Sequence, residues 1–231
     1  MKKALQEALL PLGLNLSEAQ IEACCLYGKQ LAEKNAVMNL TAITDPGEMA
    51  RLHFADCLAL LRLAELEGKR VIDVGCGAGF PGIPLKIGAP SMELTLLDSI
   101  AKKLEWISGE LLPALGLEAQ CLTGRAEELI EGRRESYDFA VSRAVARLNM
   151  LCELCLPFVK VGGAFLAMKG AAADDEAKEA ANAIRLLGGK IERIAEYPIA
   201  DTMHRVVIIR KLRPTPAKYP RRFAKIKQQP L

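Results

Sequence analysis

Val71-Ile72-Asp73-Val74-Gly75-Cys76-Gly77-Ala78-Gly79-Phe80-Pro81-Gly82 is an apolar run that breaks into alternating glycines. Such a run reads as a buried strand ending in a loop whose backbone approaches a ligand closely, because glycine tolerates φ > 0 and carries no Cβ. Three glycines would weaken any regular element, so a tight turn serving no ligand is the poorer reading. Twenty-five positions after Asp73, the stretch Leu94-Thr95-Leu96-Leu97-Asp98 is a second strand that ends in a carboxylate. An ionised carboxylate only accepts hydrogen bonds, and at the tip of the second strand it suits the two hydroxyls of a ribose. The pair predicts an adenosine-containing cofactor at the edge of a parallel α/β sheet.

Two cofactor classes compete for this loop. Gly77-Ala78-Gly79-Phe80-Pro81-Gly82 satisfies G-x-G-x-x-G, the dinucleotide pattern. However, Asp73 precedes the loop, where its charge would repel a pyrophosphate, and the spacing that best follows the strand is Gly75-x-Gly77-x-Gly79. S-adenosylmethionine carries an ammonium and a sulfonium that suit a nearby acid, and a carboxylate that suits exposed loop amides. The residues favour S-adenosylmethionine.

From Arg70 onward, apolar strands alternate with helical patterns, which calls for a parallel sheet covered on both faces. Strands are expected near 70–74, 93–98, 118–122, 137–142, 163–168, 191–197 and 205–211, with helices near 82–88, 101–113, 125–131, 147–159 and 174–187. Gly162-Gly163 and Gly188-Gly189 read as helix-to-strand turns. No helix separates the last two strands, so the last should run antiparallel. Seven strands with the last reversed form the sheet of class I S-adenosylmethionine-dependent methyltransferases.

The first sixty-odd residues read as helices. Leu5, Leu9, Leu10 and Leu12 form an apolar face, and Ser17 caps a helix starting near Glu18. Asn35 to Asp45 breaks the pattern, and a further helix is expected over 48–67, ended by Gly68. The expected organisation is a helical cap over 1–68, a cofactor-binding domain over 69–212 and a basic tail over 213–231, within one globular unit.

The 231 residues, 51% of them hydrophobic, suffice for one sizeable core. No apolar run approaches the ~18 residues of a membrane span, so a cytoplasmic protein is expected. The seven cysteines show no disulfide framework. Cys152 and Cys155 read as half-buried thiols on one helix rather than half of a metal site. The net charge of +3 is unevenly placed: nine basic residues and no acid follow Asp201, leaving 22 basic against 28 acidic residues over positions 1–201. Lys218 to Lys227 interleaves cations with Tyr219 and Phe223, a pattern suited to phosphates and bases, or simply to a solubilising tail.

Longer segments carry a family resemblance. They are Asn39-Leu40-Thr41-Ala42-Ile43, Arg51-Leu52-His53-Phe54-Ala55-Asp56-Cys57-Leu58, the loop Asp73 to Pro84, and Leu97-Asp98-Ser99. Gly124-Arg125-Ala126-Glu127-Glu128, Ser142-Arg143-Ala144-Val145-Ala146, Met168-Lys169-Gly170 and Tyr219-Pro220-Arg221-Arg222 follow. In these the chain resembles the glucose-inhibited division protein B family, bacterial methyltransferases acting on N7 of a guanosine in small-subunit (16S) ribosomal RNA. The family usually has serine where Cys57 stands. The resemblance implies that Gly75, Gly77 and Phe80 contact S-adenosylmethionine and that Asp98 takes its ribose. It implies that Ala126 and Glu127 border adenine, and that Arg143 stands between cofactor and substrate. It also implies 16S RNA or the small subunit as partner, for a protein expected to be monomeric and to need neither metal nor membrane.

Guanine N7 is an unprotonated acceptor, so its methylation needs orientation more than a general base. Arg143 is the candidate catalytic residue, placed against guanine O6, the RNA backbone or the cofactor carboxylate. His53, Lys169, Arg205, Arg221 and Arg222 are candidates for the RNA face, with Lys169 and Arg205 expected at opposite strand ends. His53 could equally be a hydrogen-bonded structural residue. The competing functions are methylation of a small molecule or protein, a non-catalytic RNA-binding module, and a nicotinamide oxidoreductase.

Overall fold

The computed structural model describes residues 1–231 except Ala144, so that one position of the Ser142 to Ala146 motif lies outside the described residues. Seven strands form one sheet: β1 (Arg70–Val74), β2 (Glu93–Asp98), β3 (Gln120–Thr123), β4 (Tyr137–Arg143), β5 (Val159–Lys169), β6 (Gly189–Ile199) and β7 (Thr202–Lys211). Their order is β3-β2-β1-β4-β5-β7-β6. The pairs from β3 through β5 are parallel, and β7 is antiparallel to both β5 and β6. The reversal follows from the chain. Only Ala200 and Asp201 separate β6 from β7, with Ala200 at φ 50°, and a two-residue turn can join only antiparallel neighbours. The expected sheet is present, and its topological switch lies between β1 and β4, where open α/β sheets bind ligands beyond their carboxyl ends.

Several expected elements differ. Residues 125–131 form turns rather than a helix. Gly162 and Gly163 sit inside β5, not before it: Tyr137 pairs with Val159 but Phe139 with Ala164, so the strand bulges there. A Cβ on Gly163 would come within 2.3 Å of the Asp138 carbonyl oxygen, so only glycine fits. The second helix, Glu18–Met38, runs through Asn35 before Asn39 ends it in the left-handed conformation at φ 49°. Its start is the expected one, with Ser17 and Gln20 forming a reciprocal capping box. The third helical stretch covers 46–62 and stops short of Gly68, letting Leu66 turn into the core. The first helix, Lys2–Leu9, buries Leu5 and Leu9, but Leu10 just past its end faces solvent.

The sheet is covered by two apolar layers. The N-terminal helices pack with Gly82–Gly88 and the 101–115 helical stretch on one face. Leu148–Cys155, the helices over 173–186 and the C-terminal Phe223–Gln228 cover the other. Cys152 and Cys155 are wholly inside this second layer, more deeply than their pattern predicts.

Lys211 at the end of β7 is fully buried, and burial lowers its pKa. Its ammonium donates to the carbonyls of Leu156 and Val159 and to Thr215 Oγ1, and lies 3.2 Å from Glu135. Replacing it removes one charge and orphans several buried acceptors together. Lys211→Met is expected to lose about 3 kcal/mol of stability, measured by urea denaturation.

Candidate functional site

The glycine loop is held by its neighbouring strand. Gly75 and Cys76 donate their backbone N–H groups to Leu97 O at 2.8 and 3.1 Å. Gly77 donates to Asp98 Oδ2 at 2.8 Å, and Ile100 to Asp98 Oδ1 at 2.9 Å. Each carboxylate oxygen of Asp98 keeps a further acceptor site, as a ribose diol requires. Gly75 has φ +75°, and a Cβ there would lie 2.6 Å from the Val145 side chain. Gly77 has φ +58° and open space where its Cβ would be. Loop, Asp98 and the turn after β3 enclose a cavity of about 400 Å³, a size typical of small-ligand sites.

Asp73 does not face this cavity, contrary to its expected role near the cofactor's cationic groups. It is completely buried beneath the loop, where its Oδ2 accepts from Gly82 N–H at 2.8 Å. Its Oδ1 has no hydrogen-bond partner. Burial pushes its pKa up to about 7, against the pull of the Gly82 amide. Asp73 fastens the loop.

Phe80 belongs both to the core and to the cavity wall. Its ring stacks on Tyr27 at 5.0 Å and on His53 at 4.7 Å, and the Arg143 guanidinium lies 4.8 Å from its centroid. Tyr27 also donates to Ala78 O at 2.5 Å. Arg143 Nη1 donates to Leu52 O at 3.1 Å and lies 3.5 Å from Asp56 Oδ2, while Nη2 stands 3.1 Å from His53 Nδ1. Since Arg143 can only donate, His53 Nδ1 accepts and its Nε2 carries the hydrogen. Nε2 then donates to Thr41 Oγ1 at 2.8 Å, which also accepts from Ile43 N–H at 3.0 Å. That leaves the Thr41 hydroxyl proton for the cavity that Thr41 lines. Burial and the neighbouring Arg143 lower the His53 pKa to about 4, so the ring is neutral at neutral pH. His53 is thus a hydrogen-bonded structural residue that also lines the cavity.

A second cavity of about 610 Å³ adjoins the first and shares His53, Arg143 and Val145 with it. Asp56 is buried at its wall, accepting from Tyr197 Oη at 2.9 Å and paired with His204 at 2.8 Å. This hydrogen bond raises the His204 pKa. Lys169 also lines this cavity, its ammonium donating to Ala146 O at 2.6 Å and to Glu176 at 2.7 Å. Arg205 is directly opposite Lys169 in the register, because an antiparallel β7 brings its start beside the end of β5. The two are neighbours, not residues of opposite ends. Arg205 is ion-paired with Glu196 and Asp174.

Ala126 and Glu127 line the first cavity beyond Asp98, on the turn that replaces the expected helix. Arg221 grips the fully buried Glu153 through Nε and Nη2 at 2.8 and 2.6 Å. Arg222 is exposed and lines a groove with Arg125 and Lys227. Sequence reasoning missed Tyr27, Thr41, Lys103, Leu154 and Phe223 as lining or supporting residues. They come from distant segments; Thr41 stands in a quoted motif and Phe223 in the cation–aromatic pattern of the C-terminal segment, while Tyr27, Lys103 and Leu154 carry no such signal.

The chain matches the family model described as rRNA small subunit methyltransferase G over residues 20–202. It is 43% identical over 237 residues to "Ribosomal RNA small subunit methyltransferase G" of Alkaliphilus oremlandii, covering 100% of this chain and 99% of that protein. The protein of the same name from Acetivibrio thermocellus is 43% identical over 236 residues, with 100% and 97% covered. Among solved structures, the fold is shared with a SAM-dependent methyltransferase from Aquifex aeolicus at TM-score 0.54 and 17% identity, covering 71% of this chain and 93% of that one. TrmN from Thermus thermophilus aligns at TM-score 0.53 and 22% identity, covering 68% and 48%.

Because Asp73 holds its proton up to about pH 7 when folded but only to about 3.8 when unfolded, its contribution to stability is full below pH 3.8 and is lost as pH rises through 7. Asp73→Asn removes this dependence. Between pH 5 and 8 the variant is expected to gain about 3 kcal/mol relative to the wild type, measured by denaturation at each pH.

Proposed function

The chain belongs to the rRNA small subunit methyltransferase G family, and from that premise we propose that it transfers a methyl group from S-adenosylmethionine to N7 of a guanosine in 16S ribosomal RNA. The observation that supports this best is the pair of adjoining cavities at the carboxyl edge of the sheet, with His53 and Arg143 in their shared wall. The first cavity suits the cofactor and the second an incoming base. On this reading Gly75, Gly77, Phe80, Asp98, Ala126 and Glu127 hold the cofactor. S-adenosylmethionine supplies an electrophilic methyl group on a sulfonium.

The protein's task is then alignment. Guanine N7 has a free lone pair, so no base is needed, and both histidines are otherwise engaged: His53 is neutral and hydrogen-bonded at both nitrogens, and His204 is tied to Asp56. Arg143 is a positioning residue, held by Leu52, Asp56 and His53 in the wall that the two cavities share. Residues 1–68 cap the site, 69–212 carry the cofactor and base, and 213–231 extend the RNA face. RNA phosphates meet the exposed Arg222 and Lys227, while Arg221 anchors the segment through Glu153. Lys169 lines the second cavity with its charge met by Glu176, and Arg205, paired with Glu196 and Asp174, braces the neighbouring strand end rather than facing RNA. The enzyme works as a monomer in the cytoplasm on 16S RNA or the small subunit. No helix of the described residues is long and apolar enough to cross a membrane.

Labelled S-adenosylmethionine incubated with small-subunit RNA lacking this modification is expected to yield label as 7-methylguanosine after nuclease digestion and mass spectrometry. Label on another atom, or none on free RNA and subunits alike, would overturn the reading. Removing the tail is an unsuitable test of RNA contact because Tyr219 and Ile226 are buried. The double variant Arg222→Ala/Lys227→Ala is expected instead to weaken RNA binding and lower the salt slope by about 2, through lost counterion release. Filter binding across a salt series measures it.

A further inference from the structure

We propose that Phe223, carried in by the C-terminal segment, is a cofactor-binding residue that walls the adenine side of the cavity. The inference rests on the S-adenosylmethionine reading above and adds a residue far in sequence from every other segment of that wall.

Three observations converge on it. Phe223 lines the first cavity together with Gly124, Arg125, Ala126 and Glu127. These residues follow β3, and Gly124 donates its N–H to Asp98 O at 3.0 Å, so the turn begins beside the ribose carboxylate. The loop and Phe80 lie on the other side of Asp98. The nucleobase therefore occupies the side where Phe223 stands. The Arg125 guanidinium lies 4.5 Å from the Phe223 centroid, fixing the ring against the same turn.

The segment is built to hold that position. Glu153, fully buried on Leu148–Cys155, accepts from the Arg221 backbone N–H at 2.8 Å and from its guanidinium. Arg134 donates to Tyr219 O at 2.5 Å, and Ile226 is buried one turn past Phe223. Leu154, the neighbour of Glu153, lines the same cavity. A half-buried aromatic ring on an anchored, otherwise cationic segment is a stacking or edge surface for a purine.

Isothermal titration of wild type with S-adenosylmethionine and with 5′-methylthioadenosine, which lacks the amino-acid end, comes first. No binding by the wild type would overturn the cofactor reading itself. Given wild-type binding, Phe223→Ala is expected to weaken both ligands by about tenfold, within the range of an aromatic–base contact. Phe223→Trp should stay within about threefold of wild type and change its emission on binding, since the native Trp106 is buried. Affinities unchanged in Phe223→Ala, or a loss for S-adenosylmethionine without one for 5′-methylthioadenosine, would overturn the assignment. Should Phe223→Ala fail to fold, Phe223→Leu serves: an affinity equal to wild type would reject the aromatic contact, and a loss for both ligands would support it.

Discussion

Arg143 can be enclosed only where donors as rigid as its own find acceptors, and that constraint organises the whole reactive edge. Its side chain is 16% exposed and sits at the end of β4. The acceptors are Leu52 O, Asp56 and His53, all from the 46–62 helical stretch, while the Phe80 ring of the glycine loop lies 4.8 Å from the guanidinium. A buried guanidinium without such partners would be strongly destabilising. The N-terminal helices therefore do more than cover apolar surface: they complete the electrostatics of a strand that precedes none of them in sequence. Lysine, a point charge without a planar fork, could not satisfy the carbonyl, the carboxylate and the imidazole from one fixed geometry.

The same joint splits the two histidines. His53 faces Arg143 and is kept neutral, whereas His204 faces Asp56 and is drawn toward its cationic form. Asp56 lies between them, receiving Tyr197, His204 and Arg143 at once. The result is a wall with fixed donors and acceptors on both sides of the boundary between the cavities. Such preorganisation suits a reaction whose nucleophile arrives with its lone pair already free.

The sheet was legible because each strand announces itself by an apolar run and each parallel connection by a helical pattern or a glycine. Asp98 and the glycine loop were legible for the same reason, being adjacent to strand ends whose direction follows from the topology. What failed did so where local pattern competes with distant contacts. Residues 125–131 look helical, yet Ala126 must turn inward beside Asp98, and the segment becomes a series of turns. Asp73 looked like a cofactor ligand because it leads the loop, but strand alternation and the return of Gly82 seal it below. Tyr27 carries no local mark of function, and Phe223 reads only as an aromatic among cations, with nothing local to place it beside the cofactor. Their place is set by helix packing and by the Arg221–Glu153 pair, both of which join residues far apart in sequence.

The cationic C-terminal end shows how far composition can mislead about location. Nine basic residues without an acid suggest an appendage, but Arg205, Arg210 and Lys211 lie on β7 and meet Glu196, Glu192 and Glu135. Arg221 meets Glu153. Four of the nine thus neutralise acids of the preceding body, and two of those pairs are buried deeply enough to bind the segment down. The charge that faces solvent narrows to residues such as Arg222, Lys225 and Lys227, clustered on one short stretch beside the cofactor cavity. A loose tail could hold phosphate anywhere within its reach. An anchored one presents its cations at a fixed distance from the reacting edge, and orientation is what transfer to a free lone pair demands.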